Sequence, residues 1–322
     1  MSPANGYPRL LGDVGATHAR WVWQDAPSAT LPQAQTYRCD EFASLEAVIA
    51  RFMADRRVAR PRCVAFGIAT PIDGDRVAMT NREWTFSIAA LQASLGAEQC
   101  LVLNDFAALA ASLPCLGETD LRRIGGGQVQ PGAPRVVLGP GSGLGVAALV
   151  TGDGGREIVV GGEGGHVTLA PGDAREAAVI DWLRAELGHV SAERALSGPG
   201  LVNLYRALCA LDDRTAAPFA PADIPAHAST DPACAEALRR FAGLLGSVSG
   251  NLALTFGARA GVYVGGGIVP RLGGAFDSAI FRARFEAKGR FGPYLEPIPT
   301  WVITAPVPAL RGAARALDRL VG

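Results

Sequence analysis

Apolar positions in the first third of the chain fall into short blocks separated by glycine-rich or polar turns. Leu10–Val14, Ala19–Gln24 and Gln35–Arg38, each bounded by such turns, read as three short strands. Ser44–Arg57, SLEAVIARFMADRR, spaces its apolar residues at helical period behind a serine, predicting a helix with Ser44 as N-cap. Cys63–Thr70 is a continuous apolar run, the pattern of a strand buried on both faces. A helix over SIAALQASLG ending at Gly96, a strand CLVLNDF and a helix AALAASL follow. Hairpins giving way to β–α alternation predict a mixed sheet flanked by helices.

At Pro114 the rhythm changes. A link, GGGQVQPGAP, leads into PRVVLGPGSGLGVAALV, which is again strand, glycine turn, strand, as in LLGDVGATHARWVW. One glycine loop per half predicts two related halves facing across a cleft. The chain then turns helical in EAAVIDWLRAELG, ERALSGPGLVNLYRALCAL and ACAEALRRFAGLLGSVSGNLALTFG, and returns to strands at GVYVGGGIVP and TWVITAP. A last helix, ALRGAARALDRL, comes late enough to cross back to the first half. The Pro/Ala/Asp-rich DDRTAAPFAPADIPAHASTDP reads as a surface loop. The expected division is a small α/β domain, 1–113 plus 305–322, and a larger one, 114–304. The length of 322 residues leaves one large domain as the alternative.

Composition narrows the function classes. With 49% apolar and 19% charged residues, the chain can bury a substantial core. Lys+Arg and Asp+Glu both number 30, a balance that argues against a nucleic-acid partner. Lys288, in EAKGR, is the sole lysine, so no GxxxxGK[ST] phosphate loop is possible. Six cysteines without CxxC and four histidines without HxxxH give a zinc site little support. Scattered thiols suit a reducing compartment. MSPANGYPRL has no basic segment leading into an apolar core, and Pro140 and glycines break the longest weakly polar run. The expectation is a soluble cytoplasmic protein without a membrane partner.

Several motifs carry candidate chemistry, each beside a plainer reading. In GDVGAT, backbone amides and the Thr17 hydroxyl suit phosphate and Asp13 suits Mg²⁺, while an ordinary hairpin with an acid at its edge fits as well. GPGSGLG, Gly139 to Gly145, matches neither GxGxxG nor GxSxG; it is a close-approach loop for a ligand or a flexible hairpin. LNDF ends an apolar strand with Asn104 and Asp105, either a base and an orienting amide or a helix cap. GGEGGHV surrounds Glu163 and His166 with glycines, suited to a polyol or to a solvated turn. Glu193 in GHVSAERALSGPG reads equally as an exposed helix glutamate. GGGIVPR follows an apolar strand, as a bed for an adenine ring or a strand-to-helix turn.

Taken in order, GDVGATHAR, RVAMTNREWTFS, LNDFAALA, GPGSGLGVA, GEGGHV, HVSAERALSGPGL, GNLALTFG, VGGGIVPR and FRARFEAKGRF resemble the bacterial glucokinase family, within the hexokinase- and actin-like ATPase superfamily. The resemblance runs from Leu11 to about Leu320. It implies a two-domain ribonuclease H-like (actin-like ATPase) fold, ATP–Mg²⁺ and glucose as ligands, glucose 6-phosphate as product, and a homodimer. It implies Asp105 as general base toward the sugar 6-hydroxyl, and Asn81, Asn104, Glu163, His166 and Glu193 as sugar ligands. Asp13, Gly15, Ala16 and Thr17 match the first phosphate loop, with Asp13 also toward Mg²⁺. Gly141, Ser142 and Gly143 match the second loop, and Gly266 and Gly267 the adenosine side. The chain departs from the pattern at Ala16, where glycine is usual, and at His18, where asparagine is. It departs again at Gly312-Ala313-Ala314-Arg315, where Gly-Ser-Gly-Ala is usual, implying a lost serine contact to nucleotide.

Overall fold

The computed structural model describes residues 6–28, 30–80 and 82–321. It divides into two compact units, Met1–Leu116 with Ala305–Gly322, and Gly117–Thr304.

The first unit is built on the strands β1 (Arg9–Val14), β2 (His18–Gln24), β3 (Gln35–Arg38) and β4 (Cys63–Ile68), a separate small hairpin of β5 (Arg76–Ala78) and β6 (Thr85–Ser87), and β7 (Gln99–Asn104). The main sheet has the order β3-β2-β1-β4-β7. β1 runs antiparallel to β2 and parallel to β4, which runs parallel to β7. Alternation sends Leu10 to one face and Leu11 to the other. Leu10, Phe66 and Trp21 pack with Val48, Ile49 and Phe52 of α1 (Leu45–Arg56), while Leu11, Val22 and Ala65 pack with Leu310, Ala313 and Leu317 of the C-terminal helix, Pro308–Val321. Ser44 caps α1 as expected, accepting from Ala47 N, and Gly96 closes α2 (Ile88–Leu95) at φ +63°. Strand β7 stops at Asn104, and Asp105 opens α3 (Asp105–Ser112), earlier than the apolar run alone predicts. The C-terminal helix lies on α3. A Cβ at Gly312 would collide with the Ala108 carbonyl, and Ala313 is fully buried. Position 313 is therefore a packing position, where a serine would have to bury its hydroxyl.

The second unit repeats the plan. Its strands are β8 (Leu121–Gly125), β9 (Arg135–Pro140), β10 (Leu144–Thr151), β11 (Glu157–Gly162), β12 (Val262–Val264) and β13 (Thr300–Ile303), in the order β11-β10-β9-β12-β13-β8. Strands β9 and β10 form a hairpin, β11 extends it antiparallel, and β12 and β13 add parallel strands on the other side. That is the arrangement of β3-β2-β1-β4-β7, so the repeated glycine-loop pattern marks a repeated topology. The hydrophobic pattern marks neither β8 nor β11. β11 lies at the sheet edge and exposes Ile158 and Val160.

The core of this unit lies against α4 (Ala174–Leu187), α5 (Gly198–Leu211) and α7 (Pro232–Phe256). The stretch expected to be one helix from Glu193 instead makes a single turn at Ala192–Arg194 and restarts at Gly198. Ser197 accepts from Gly200 N and Pro199 occupies the first turn, a strong start signal inside the stretch. The expected surface loop before α7 contains α6 (Asp223–Ala226), whose Ile224 is buried. Short helices α8 (Ile268–Leu272), α9 (Ser278–Glu286) and α10 (Gly292–Leu295) complete the unit, with α9 packed along α7.

Candidate active site

In the first unit the parallel strands β1, β4 and β7 end together. The register aligns Val14 with Ile68 and Ile68 with Asn104. At about 4.8 Å between neighbouring strands, the first glycine turn and Asn104-Asp105 lie about 10 Å apart along one sheet edge. Open α/β sheets bind ligands at this carboxyl end. Gly67 lets α3 start there: a Cβ would lie 3.3 Å from Asp105 Cα and 3.0 Å from Ala108 Cβ.

The first glycine loop is a tight hairpin, Gly15 N–H donating to His18 O at 2.9 Å. Thr17 is exposed at its tip. Arg82, from the same TNREW block as Asn81, fastens the turn by donating to Ala16 O at 3.1 Å and Cys39 O at 2.9 Å. Nothing in the sequence singles out Arg82, because both acceptors are backbone carbonyls. Asn81 itself lies outside the described residues. Asp13 is 18% exposed and paired with Arg20 at 3.3 Å. Burial pushes its carboxyl above the ordinary carboxylate range, against the pull of Arg20.

Ala16, where the family pattern has glycine, would be strained if its backbone needed positive φ. Among the described residues, the non-glycine residues with positive φ are Arg57, Asp213 and Val307. Alanine therefore stiffens this turn without straining it. Ala16→Gly is expected to leave the nucleotide KM within about twofold and to lower stability by no more than about 1 kcal/mol. Steady-state kinetics and a thermal melt would check this; a large fall in KM would restore the strain reading.

Asn104 is a helix cap in fact. Its Oδ1 accepts from Phe106 N at 3.0 Å and Ala107 N at 3.2 Å, and its Nδ2 donates to Thr70 O at 3.3 Å. With both oxygen lone pairs engaged, one N–H remains, so toward a ligand this amide can only donate. Asp105 follows in the first turn, partly exposed, its Oδ1 accepting from Phe106 N at 2.9 Å. Capping and ligand binding, alternatives in the sequence, are compatible in the structure.

The second unit gathers the remaining candidates. Leu169 N donates to Val190 O at 3.0 Å and Ala192 N to Val167 O at 2.9 Å, joining the GGEGGHV and HVSAER segments. Glu163 and His166 are both more than half exposed, with His166 Nε2 3.9 Å from Glu163 Oε2. Glu193 reaches into the second glycine loop, where its Oε2 accepts from Leu144 N at 2.8 Å. Gly143 makes room for that contact, since a Cβ there would collide with the Glu193 carboxylate. Leu144 is an apolar residue acting through its amide, so no side-chain pattern marks it.

The same loop lines a cavity of about 420 Å³. Gly141, Ser142 and Gly198 meet Ile268, Arg271 and Leu272 there, and Pro221, Ala222 and Pro225 close it. Gly266, at φ +73°, turns the chain against the Pro140 carbonyl, which brings the GGGIVPR segment to the loop. The Arg271 guanidinium lies over Gly267. The segment read as a surface loop thus supplies a cavity wall.

The family model described as Glucokinase matches residues 10–320. The glucokinase of Aromatoleum aromaticum is 53% identical over 315 residues, 97% of this chain and 95% of that protein. The glucokinase of Chromobacterium violaceum is 48% identical, covering 97% and 89%. Among solved structures, a glucokinase from an Antarctic psychrotroph superposes with a TM-score of 0.88 at 33% identity, covering 97% of this chain and 99% of that one.

Proposed function

Because the chain belongs to the glucokinase family, we propose that it phosphorylates the 6-hydroxyl of D-glucose with ATP, an ATP-dependent hexose kinase on the actin-like ATPase fold. The observation that carries this reading is the joining, inside one unit, of the exposed Glu163–His166 pair and Glu193 to a glycine loop and a 420 Å³ cavity. Hydroxyl recognition needs acceptors and donors on an accessible backbone, and phosphate needs amides and space; this unit has both.

In this reading Asp105 takes the proton of the 6-hydroxyl as its oxygen attacks the γ-phosphorus and the bond to the leaving ADP oxygen breaks. Asn104 donates its remaining N–H to a sugar hydroxyl, and Asn81 is a further sugar ligand. Glu163, His166 and Glu193 hold the other hydroxyls. Gly15, Ala16 and Thr17 form one phosphate loop, and Gly141, Ser142 and Gly143 the other. Gly266 and Gly267, with the cavity walls, take the adenosine. Phosphoryl transfer depends on positioning and charge neutralisation more than on covalent catalysis, which suits a site with no lysine in either glycine loop.

Among the described residues no group of three or more His, Cys, Asp or Glu converges. A lone Asp13 carboxylate, already paired with Arg20, fits a Mg²⁺ that arrives held by phosphates and water, touched by the protein directly or through water. Such an ion supplies charge neutralisation on the phosphates. No helix among the described residues is long and apolar enough to cross a membrane. We place the chain as a cytoplasmic homodimer at the first step of glycolysis.

A coupled assay on purified protein tests the reading across a panel of hexoses and phosphoryl donors. Turnover with glucose and ATP is expected. Absence of turnover with every pair would overturn it.

A further inference from the structure

Two hydrogen bonds fasten the Ala192–Gly200 segment to the second glycine loop. Gly198 N–H donates to Gly141 O at 2.9 Å, and Leu144 N–H donates to Glu193 Oε2 at 2.8 Å. Between these anchors lies the turn Gly141–Gly143, closed by Gly141 N–H to Gly143 O at 2.8 Å. The first anchor is backbone to backbone at the start of α5. The second is a partly exposed side chain, so its hold depends on where that side chain is. Its own backbone is fixed: Glu193 O accepts from Ser197 Oγ at 2.8 Å. Only the side-chain torsions are left free. A carboxylate offers about four acceptor sites, and Leu144 occupies one.

We propose that Glu193 is a positioning residue that couples sugar occupancy to nucleotide affinity, through the Leu144 amide. The inference rests on the kinase reading above, in which Glu193 also accepts from a sugar hydroxyl. A sugar bound there fixes the carboxylate in the rotamer that holds Leu144 N–H, and with it the Gly141–Gly143 turn. The ordering cost of a long, flexible side chain, met when sugar binds, is not met again when phosphate reaches the loop. Coupling of this kind is reciprocal, so nucleotide tightens sugar by the same factor.

The test measures binding of a non-hydrolysable ATP analogue to the whole chain by calorimetry, without and with saturating glucose. In the wild type, glucose is expected to tighten the analogue about 5-fold or more. In E193A, with glucose raised to saturation, the ratio is expected to fall to within about twofold of one. E193Q, whose amide oxygen can still accept from Leu144, keeps a larger ratio than E193A and guards against a folding defect. H166A removes a ligand of the same sugar whose imidazole faces Glu163, and keeps the wild-type ratio at saturating glucose. A wild-type ratio near one, or an E193A ratio equal to the wild type, overturns the coupling. Turnover of glucose and ATP by the same preparation separates the two failures. With turnover and a ratio of one, the coupling alone is wrong; without turnover, the kinase reading beneath it falls as well.

Discussion

Asp105→Ala is expected to lower kcat at least about 100-fold while the protein stays folded, because a general base beside the acceptor hydroxyl contributes about 10²–10⁴-fold. The structure separates this effect from a folding defect. Helix α3 is capped by Asn104 through Phe106 N and Ala107 N, and Asp105 Oδ1 also accepts from Phe106 N. Truncating Asp105 therefore leaves the cap in place, whereas Asn104→Ala removes it at about 1 kcal/mol. Because the base acts in the transition state, the loss should fall on kcat and kcat/KM together, with glucose KM little changed. Rapid-quench turnover beside a thermal melt makes the comparison. A near-normal kcat in Asp105→Ala would remove the residue from the role of base.

The largest stability effect is expected at Glu176. Its side chain is 2% exposed, and both oxygens receive Arg284, at 2.8 Å each. Gly172 N adds a bond at 2.7 Å, and Arg240 stands 3.9 Å away while it also pairs with Asp173. The carboxylate ties the first turn of α4 to α9. Glu176→Ala leaves the Arg284 guanidinium, itself only 21% exposed, without its partner. Breaking a buried pair on one side costs about 3–5 kcal/mol. At about 2–4 °C per kcal/mol for a domain near 200 residues, the melting transition should fall by about 10 °C. Replacing both partners with apolar residues, Glu176→Leu with Arg284→Met, should recover most of the loss, since the pair's main energetic weight lies in not being left half-made. A double variant as unstable as Glu176→Ala would show that the charge pair stabilises in its own right.

Much of this was legible in the chain, and what was not has a common cause. Ser44 and Gly96 announce helix ends through side-chain oxygen and a left-handed backbone, both encoded in residue type. The two glycine loops announce a repeated hairpin, and the sheets repeat with it. Where sequence reading stops is where backbone atoms do the work. Arg82 acts on the carbonyls of Ala16 and Cys39, and Glu193 on the amide of Leu144; no residue type marks such acceptors and donors. Apolar pattern also misled where it ran past a start signal, as at Ser197-Gly198-Pro199. It hid the cavity wall at Pro221–Pro225 inside a stretch of turn residues. Ala313 shows the converse: a position singled out for its chemistry is fully buried where two helices pack.

The sheet face formed by Leu11, Val22 and Ala65 has its cover in Leu310, Ala313 and Leu317. Buried Arg9 likewise finds Asp318, at 2.6 Å. Every one of those partners lies in the final helix. During vectorial synthesis that apolar face therefore stays uncovered until Pro308–Val321 has been translated, while Gly117–Thr304 already carries its own core. The order of synthesis thus lets Gly117–Thr304 close its core before the Leu11 face receives its cover.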